Sequence, residues 1–118
     1  RLHERYAIGI VSNFYGNLQA VCDESNLSPS VGAAIDSTLV GCKKPDPRIF
    51  QAALDALGAA AADAVFVGDS LKRDMTGARA MGMRHVWLRA EGAAVNGGPC
   101  CPRDPVIPRL SELLELSL

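Results

Sequence analysis

Short apolar runs of β-branched and aromatic residues alternate along this chain with segments whose apolar residues recur at helical spacing. "YAIGIVS" (Tyr6–Ser12) is the first such run and ends at Asn13 and Gly16; Leu18, Val21, Cys22 and Ser25 then follow a helical period. "AAIDSTLVG" predicts a weaker strand from about Ala33 to Thr38. "KKPDPRIFQAALDALG" predicts a helix with Asp46 as N-cap, Pro47 at the first helical position and Gly58 as C-cap. Its apolar face is Ile49, Phe50, Ala53, Leu54 and Leu57. Ala64–Val67 predicts a further strand, about Arg73 to Met81 a helix stopped by Gly82, and "RHVWLRA" another strand. Glu91 to Pro108, rich in Gly and Pro, reads as loop, and "RLSELLEL" as a short helix turning Leu110, Leu113 and Leu114 inward. Near-continuous apolar strands alternating with amphipathic helices imply a parallel sheet covered on both faces, with right-handed crossovers. The expected class is α/β, a Rossmann-like open parallel sheet.

With 118 residues the chain is expected to form one domain. It is 48% hydrophobic and 21% charged with a formal net charge of -1, and its cations are scattered, which argues against nucleic acid as a partner. No apolar run approaches the roughly 20 residues that cross a bilayer, and the N-terminal segment does not read as a secretory signal. Cys22, Cys42, Cys100 and Cys101 form no CxxC pair, and His3 and His85 lie near none of them in sequence. Reduced thiols in a cytoplasmic protein are the expectation.

In an open parallel sheet, ligands bind beyond the carboxyl ends of the strands. Three polar groups of this sequence fall there: Ser12 and Asn13 after the first strand, Lys44 before the Asp46-capped helix, and Asp69 with Ser70 after Ala64–Val67, followed by Asp74. Each has a plain alternative. Ser12 and Asn13 serve equally as turn residues, Lys44 as a solvated charge, Asp69 as a turn residue and Asp74 as a helix N-terminal carboxylate. Taken together they suit a phosphoryl group. Ser12 and nearby backbone N–H groups can donate to its oxygens, Lys44 supplies positive charge, and Asp69 with Asp74 can hold Mg²⁺. A nucleophile is missing from the set.

"IGIVSN", "KKPDPRIF" and "VFVGDSLKRDMTGARAMGM" resemble, in order and separation, the second, third and fourth motifs of the haloacid dehalogenase (HAD) superfamily hydrolases. The resemblance runs from about Tyr6 to Leu88 and implies a Mg²⁺-dependent phosphatase acting on a small phosphate monoester. It implies that Ser12 and Asn13 bind the phosphoryl group, that Lys44 neutralises its charge, and that Asp69 and Asp74 serve the metal. The family's first motif, DxDx followed by Thr or Val, supplies an Asp nucleophile and forms an aspartyl-phosphate intermediate.

No DxD occurs in this sequence. The expectation is therefore that residues 1–118 are the C-terminal portion of a HAD-like core, lacking the central nucleophile strand and the cap and inactive alone. In the resembled fold that strand lies between Tyr6–Ser12 and Ala64–Val67, so its absence leaves two edges to be paired by an N-terminal segment or another chain. Two other readings within the resemblance are a dehalogenase-type member and a non-catalytic binding or assembly module. A signalling receiver domain is opposed by motif order, since its acidic residues precede the Ser/Thr. A dinucleotide-binding domain is opposed by the lack of GxGxxG.

Overall fold

The computed structural model describes residues 2–89 and 104–116. Strand β1 (Gly9–Ser12) leads to helix α1 (Leu18–Glu24), strand β2 (Ala33–Asp36), the single turn α2 (Ser37–Val40) and helix α3 (Pro47–Leu57). Strand β3 (Val65–Gly68), a wide π-type turn over Leu71–Met75, helix α4 (Thr76–Ala80) and strand β4 (Arg84–Leu88) follow. Strand β5 (Val106–Ile107) and a 3₁₀ segment, Leu110–Glu115, complete the described chain.

All described strand pairings are parallel, as the apolar runs imply, but they fall into two groups: β1 with β2, and β3 with β4 with β5. Ser12 pairs with Asp36, and Gly68 with Trp87. The two groups share one helix layer. Ile49 and Phe50 of α3 and Ala78 of α4 are buried against Val11 of β1, Ile35 of β2 and Phe66 of β3. On the opposite face Val65, Val67, Val86 and Leu88 pack with Ile107, Leu113 and Leu2. The helices of the shared layer touch closely. A Cβ on Gly77 would lie 2.3 Å from the ring of Phe50, so only glycine lets α4 approach α3 this far.

Between β1 and β3, the described residues form no ladder. Every residue of β3 is only half-buried, whereas His85, Val86 and Trp87 of β4, which has a neighbour on each side, are buried. An open edge on β3 accounts for the difference.

The local signals in α3 work as read. Asp46 accepts a hydrogen bond from the N–H of Arg48 at 2.9 Å, Pro47 opens the helix, and Gly58 closes it at φ 65°. Other boundaries move. The first strand begins at Gly9, three residues later than Tyr6. The second ends at Asp36, because that carboxylate turns back to accept from Thr38 N at 2.9 Å and caps α2.

The helix expected from Arg73 is preceded by the Leu71–Met75 turn, in which Met75 N reaches Ser70 O at 3.2 Å. The predicted Glu91–Pro108 loop lies mostly outside the described residues, but Val106 and Ile107 form β5 instead. In the last segment only Leu113 is buried. Leu114 is exposed because three residues per turn rotate it a third of a turn away from Leu113, and Leu110, at the first position of the segment, is exposed as well.

His85 is buried on the helix-covered face, its ring nearly parallel to that of Phe66 with centroids 6.5 Å apart. Neither ring nitrogen has a hydrogen-bond partner among the described residues. Burial holds its pKa below the ordinary 6.5, opposed by the negative charges of Asp104 and Asp74. Below pH 6.5 the unfolded chain therefore takes up a proton at this position more readily than the folded chain, and stability falls with pH until the lowered folded-state pKa is passed. The melting temperature is expected to drop as pH is lowered from 6.5, and His85→Leu to flatten that part of the profile. An unchanged slope in the variant would assign the acid sensitivity elsewhere.

Candidate active site

The carboxyl ends of β1 and β3 lie on the same edge of the molecule, and the loop before α3 joins them. At the end of β1, Asn13 brackets the backbone of Lys44: its Oδ1 accepts from Lys44 N at 2.7 Å and its Nδ2 donates to Lys44 O at 3.4 Å. The Lys44–Pro45 peptide is cis. From this pinned backbone the Lys44 side chain reaches across to the β3 side. There its Nζ donates to Asp74 Oδ1 at 2.7 Å, with side-chain exposures of 15% and 4%. The ammonium also stands 5.8 Å from the centroid of the Phe66 ring.

Asp74 is fixed from two sides. Its Oδ2 accepts from the backbone N–H of Ser70 at 3.0 Å. It also lies against Gly68, where a Cβ would fall 2.4 Å from Oδ2 and 2.5 Å from the carboxylate carbon. Gly68 is thus required by the carboxylate that packs on it. The Leu71–Met75 turn carries Asp74 into this position, an inserted-turn geometry that recurs at functional sites. Asp69, one residue past β3, has an exposed side chain, and its carbonyl accepts from Trp87 Nε1 at 3.2 Å.

The structure therefore brings Asn13, Lys44 and Asp74 into one hydrogen-bonded chain, with Ser12 and Asp69 at the ends of the flanking strands. Among the described residues, no cluster of three or more His, Cys, Asp or Glu side chains is placed to hold a metal ion. The oxygen donors at this edge are the exposed Asp69 carboxylate and the Asp74 carboxylate, whose Oδ1 is engaged by Lys44. A hard divalent cation such as Mg²⁺ takes one or two carboxylates and completes its shell with water and phosphate oxygens. The donor set fits that chemistry and does not fit a tetrahedral nitrogen–sulfur site.

Two contributions were not read from the sequence. Asp36 is 2% exposed and accepts from the N–H groups of Gly16 at 2.8 Å, Leu18 at 3.1 Å and Thr38 at 2.9 Å, so one carboxylate organises the turn after β1 and the start of α1. Ser37 Oγ accepts from Phe14 N at 2.9 Å, and Thr38 Oγ1 donates to Phe14 O at 2.7 Å. The local signal was present as Asp-Ser-Thr, a helix-capping sequence, but the partners other than Thr38 N–H lie 18 to 24 residues away along the chain.

The haloacid dehalogenase-like hydrolase family matches residues 1–82, and the chain belongs to that family. It is 36% identical over 109 residues to the mouse (Mus musculus) haloacid dehalogenase-like hydrolase domain-containing protein 3, covering 91% of this chain and 43% of the mouse protein. A HAD phosphatase from Thermococcus onnurineus superposes with a TM-score of 0.82 at 31% identity, covering 93% of this chain and 49% of that one. A 2-haloacid dehalogenase from Pseudomonas syringae superposes with a TM-score of 0.80 at 30% identity, covering 97% and 47%. The chain thus spans less than half the length of each of these proteins.

Replacing Gly68 by Ala is expected to drive Asp74 off Ser70 N and break its pair with Lys44, at a cost of about 1–3 kcal/mol for overpacking. Urea unfolding measures the cost. Retention of the Lys44–Asp74 contact in a crystal structure of the variant would contradict the argument.

Proposed function

We propose that the complete protein is a Mg²⁺-dependent phosphatase of small phosphate monoesters, to which this chain contributes the phosphate-binding and metal-binding parts. The observation that carries the reading is the joining of Asn13, Lys44 and Asp74 at the carboxyl ends of β1 and β3. An ammonium has three N–H donors, and Asp74 accepts one, so two are left for phosphoryl oxygens. Ser12 O–H donates to a third oxygen. Asp69 with Asp74 would hold Mg²⁺, which when bound supplies further charge neutralisation for the phosphoryl group.

The nucleophile is an aspartate outside this chain, on a strand that enters between β1 and β3 and pairs with both. Its carboxylate attacks phosphorus as the ester P–O bond breaks; the second aspartate of the DxD motif protonates the leaving oxygen, which departs as the alcohol, and then takes a proton from the water that hydrolyses the acyl phosphate. Lys44 and Ser12 stabilise the charge that builds on the oxygens in both steps. That strand belongs to an upstream segment of the same protein, so the isolated chain is inactive. The free thiols of Cys22 and Cys42 are in keeping with a cytoplasmic setting.

The dehalogenase reading has its own support in the near-equal similarity to the Pseudomonas syringae enzyme. Metal dependence separates the two, since hydrolysis of a carbon–halogen bond on this fold does not call for the carboxylate pair.

The test uses the protein carrying the upstream segment, assayed with p-nitrophenyl phosphate and with a 2-haloacid. Phosphatase activity that EDTA abolishes and Mg²⁺ restores is expected, with Lys44→Ala lowering kcat/KM by about 10²–10³-fold. The 118-residue chain alone is expected to be inactive and to regain turnover when the upstream half is supplied separately. EDTA-resistant halide release would replace this reading by the dehalogenase one, and turnover by the isolated chain would show that the nucleophile lies within it.

A further inference from the structure

The peptide unit between Asp69 and Ser70 is gripped at both of its polar atoms. Its carbonyl accepts from the indole Nε1–H of Trp87 at 3.2 Å, and its N–H donates to Asp74 Oδ2 at 3.0 Å. The unit lies just beyond β3, which ends at Gly68.

Trp87 is well placed to hold it. Its backbone is fixed in the middle of the sheet, opposite Gly68 on β3 and Val106 on β5, and its N–H donates to Pro105 O at 2.9 Å. Its side chain is buried, and the Arg89 guanidinium stands 5.6 Å from the ring centroid. An indole has one polar atom, a donor, and when buried it is usually matched to an acceptor. Here the acceptor is the backbone of Asp69. The contact lies on the β4 side of β3, opposite the open edge of that strand, and does not depend on what pairs there.

We infer that Trp87 is a positioning residue for the metal site, holding the Asp69–Ser70 peptide so that Asp69 is set relative to Asp74. This rests on the Mg²⁺ reading above and deepens it. A peptide unit is planar, so a bond on its carbonyl also fixes the direction in which its N–H meets the Asp74 carboxylate. The Cα of Asp69 lies on the same plane. Without the indole N–H the carbonyl loses its partner and the plane is free to turn, which loosens both carboxylates together. Partners that orient metal ligands from outside carry about 10–100-fold in metal affinity. Trp87 acts through the backbone, so the lower end of that range applies.

The test is calorimetric titration with Mg²⁺ of the protein carrying the upstream segment, as the parent, as Trp87→Phe, and with 3-benzothienylalanine replacing Trp87. Phe keeps an aromatic ring and benzothienylalanine keeps the indole shape, and neither has the N–H. Both are expected to bind Mg²⁺ about tenfold more weakly than the parent, with phosphatase turnover recovering as Mg²⁺ is raised. Val86→Ala removes buried packing on the opposite face of the same strand. It is expected to lower the melting temperature and leave Mg²⁺ affinity unchanged, which separates loss of the N–H from a general loosening of β4. If Trp87→Phe does not fold, the isosteric replacement decides alone. Parental Mg²⁺ affinity in that protein, or an equal loss in Val86→Ala, would overturn the inference and leave the Mg²⁺ reading standing. If the parent itself takes up no Mg²⁺, both fall together.

Discussion

The ammonium of Lys44 and the carboxylate of Asp74 meet where water hardly reaches, and the edge of the molecule is organised around them. Lys44 is positioned from the β1 side by Asn13, and Asp74 from the β3 side by Ser70 and Gly68. Their bond therefore spans the two strand groups at the end where no ladder connects them. Such a pair is not a cheap source of stability, because desolvating both charges offsets much of their attraction. Losing one partner would be worse, since the other would stay buried without compensation. What the pair confers is placement: one positive charge fixed between two strand ends.

Much of this was legible in residue patterns. The α/β class follows from apolar runs alternating with helical periods, and α3 follows almost residue for residue from Asp46, Pro47 and Gly58, because capping is local chemistry. Ser12, Asn13 and Asp69 were read as strand-end residues, Lys44 as part of the loop before α3 and Asp74 as a carboxylate near the start of the next helix, and the structure joins Asn13, Lys44 and Asp74 directly.

Other features depended on tertiary partners. Asn13 was read as a phosphate ligand; its side-chain amide has a further task that the sequence did not show, holding the Lys44 backbone through both its oxygen and its nitrogen. No role was read for Asp36, because two of the three N–H groups it serves lie 20 and 18 residues away along the chain. The wide turn that delivers Asp74 leaves no periodicity to read, and β5 is too short to have one. Leu114 was assigned inward on a 3.6-residue period that the 3₁₀ segment does not follow, and Leu110, also assigned inward, stands exposed at the first position of that segment.

The Asp74 carboxylate has nowhere to rotate, with Gly68 against one side and Ser70 N–H on an oxygen. The Lys44 ammonium is consequently oriented before any anion arrives. For the phosphoryl group proposed to bind there, dipoles and charge would already be aligned, and little reorganisation energy would remain to be spent at the moment of encounter. A glycine with no side chain thereby sets how stiff the electrostatic environment of its neighbours is. Stiffness of that kind is a property of the fold itself and persists whether or not the site is in use.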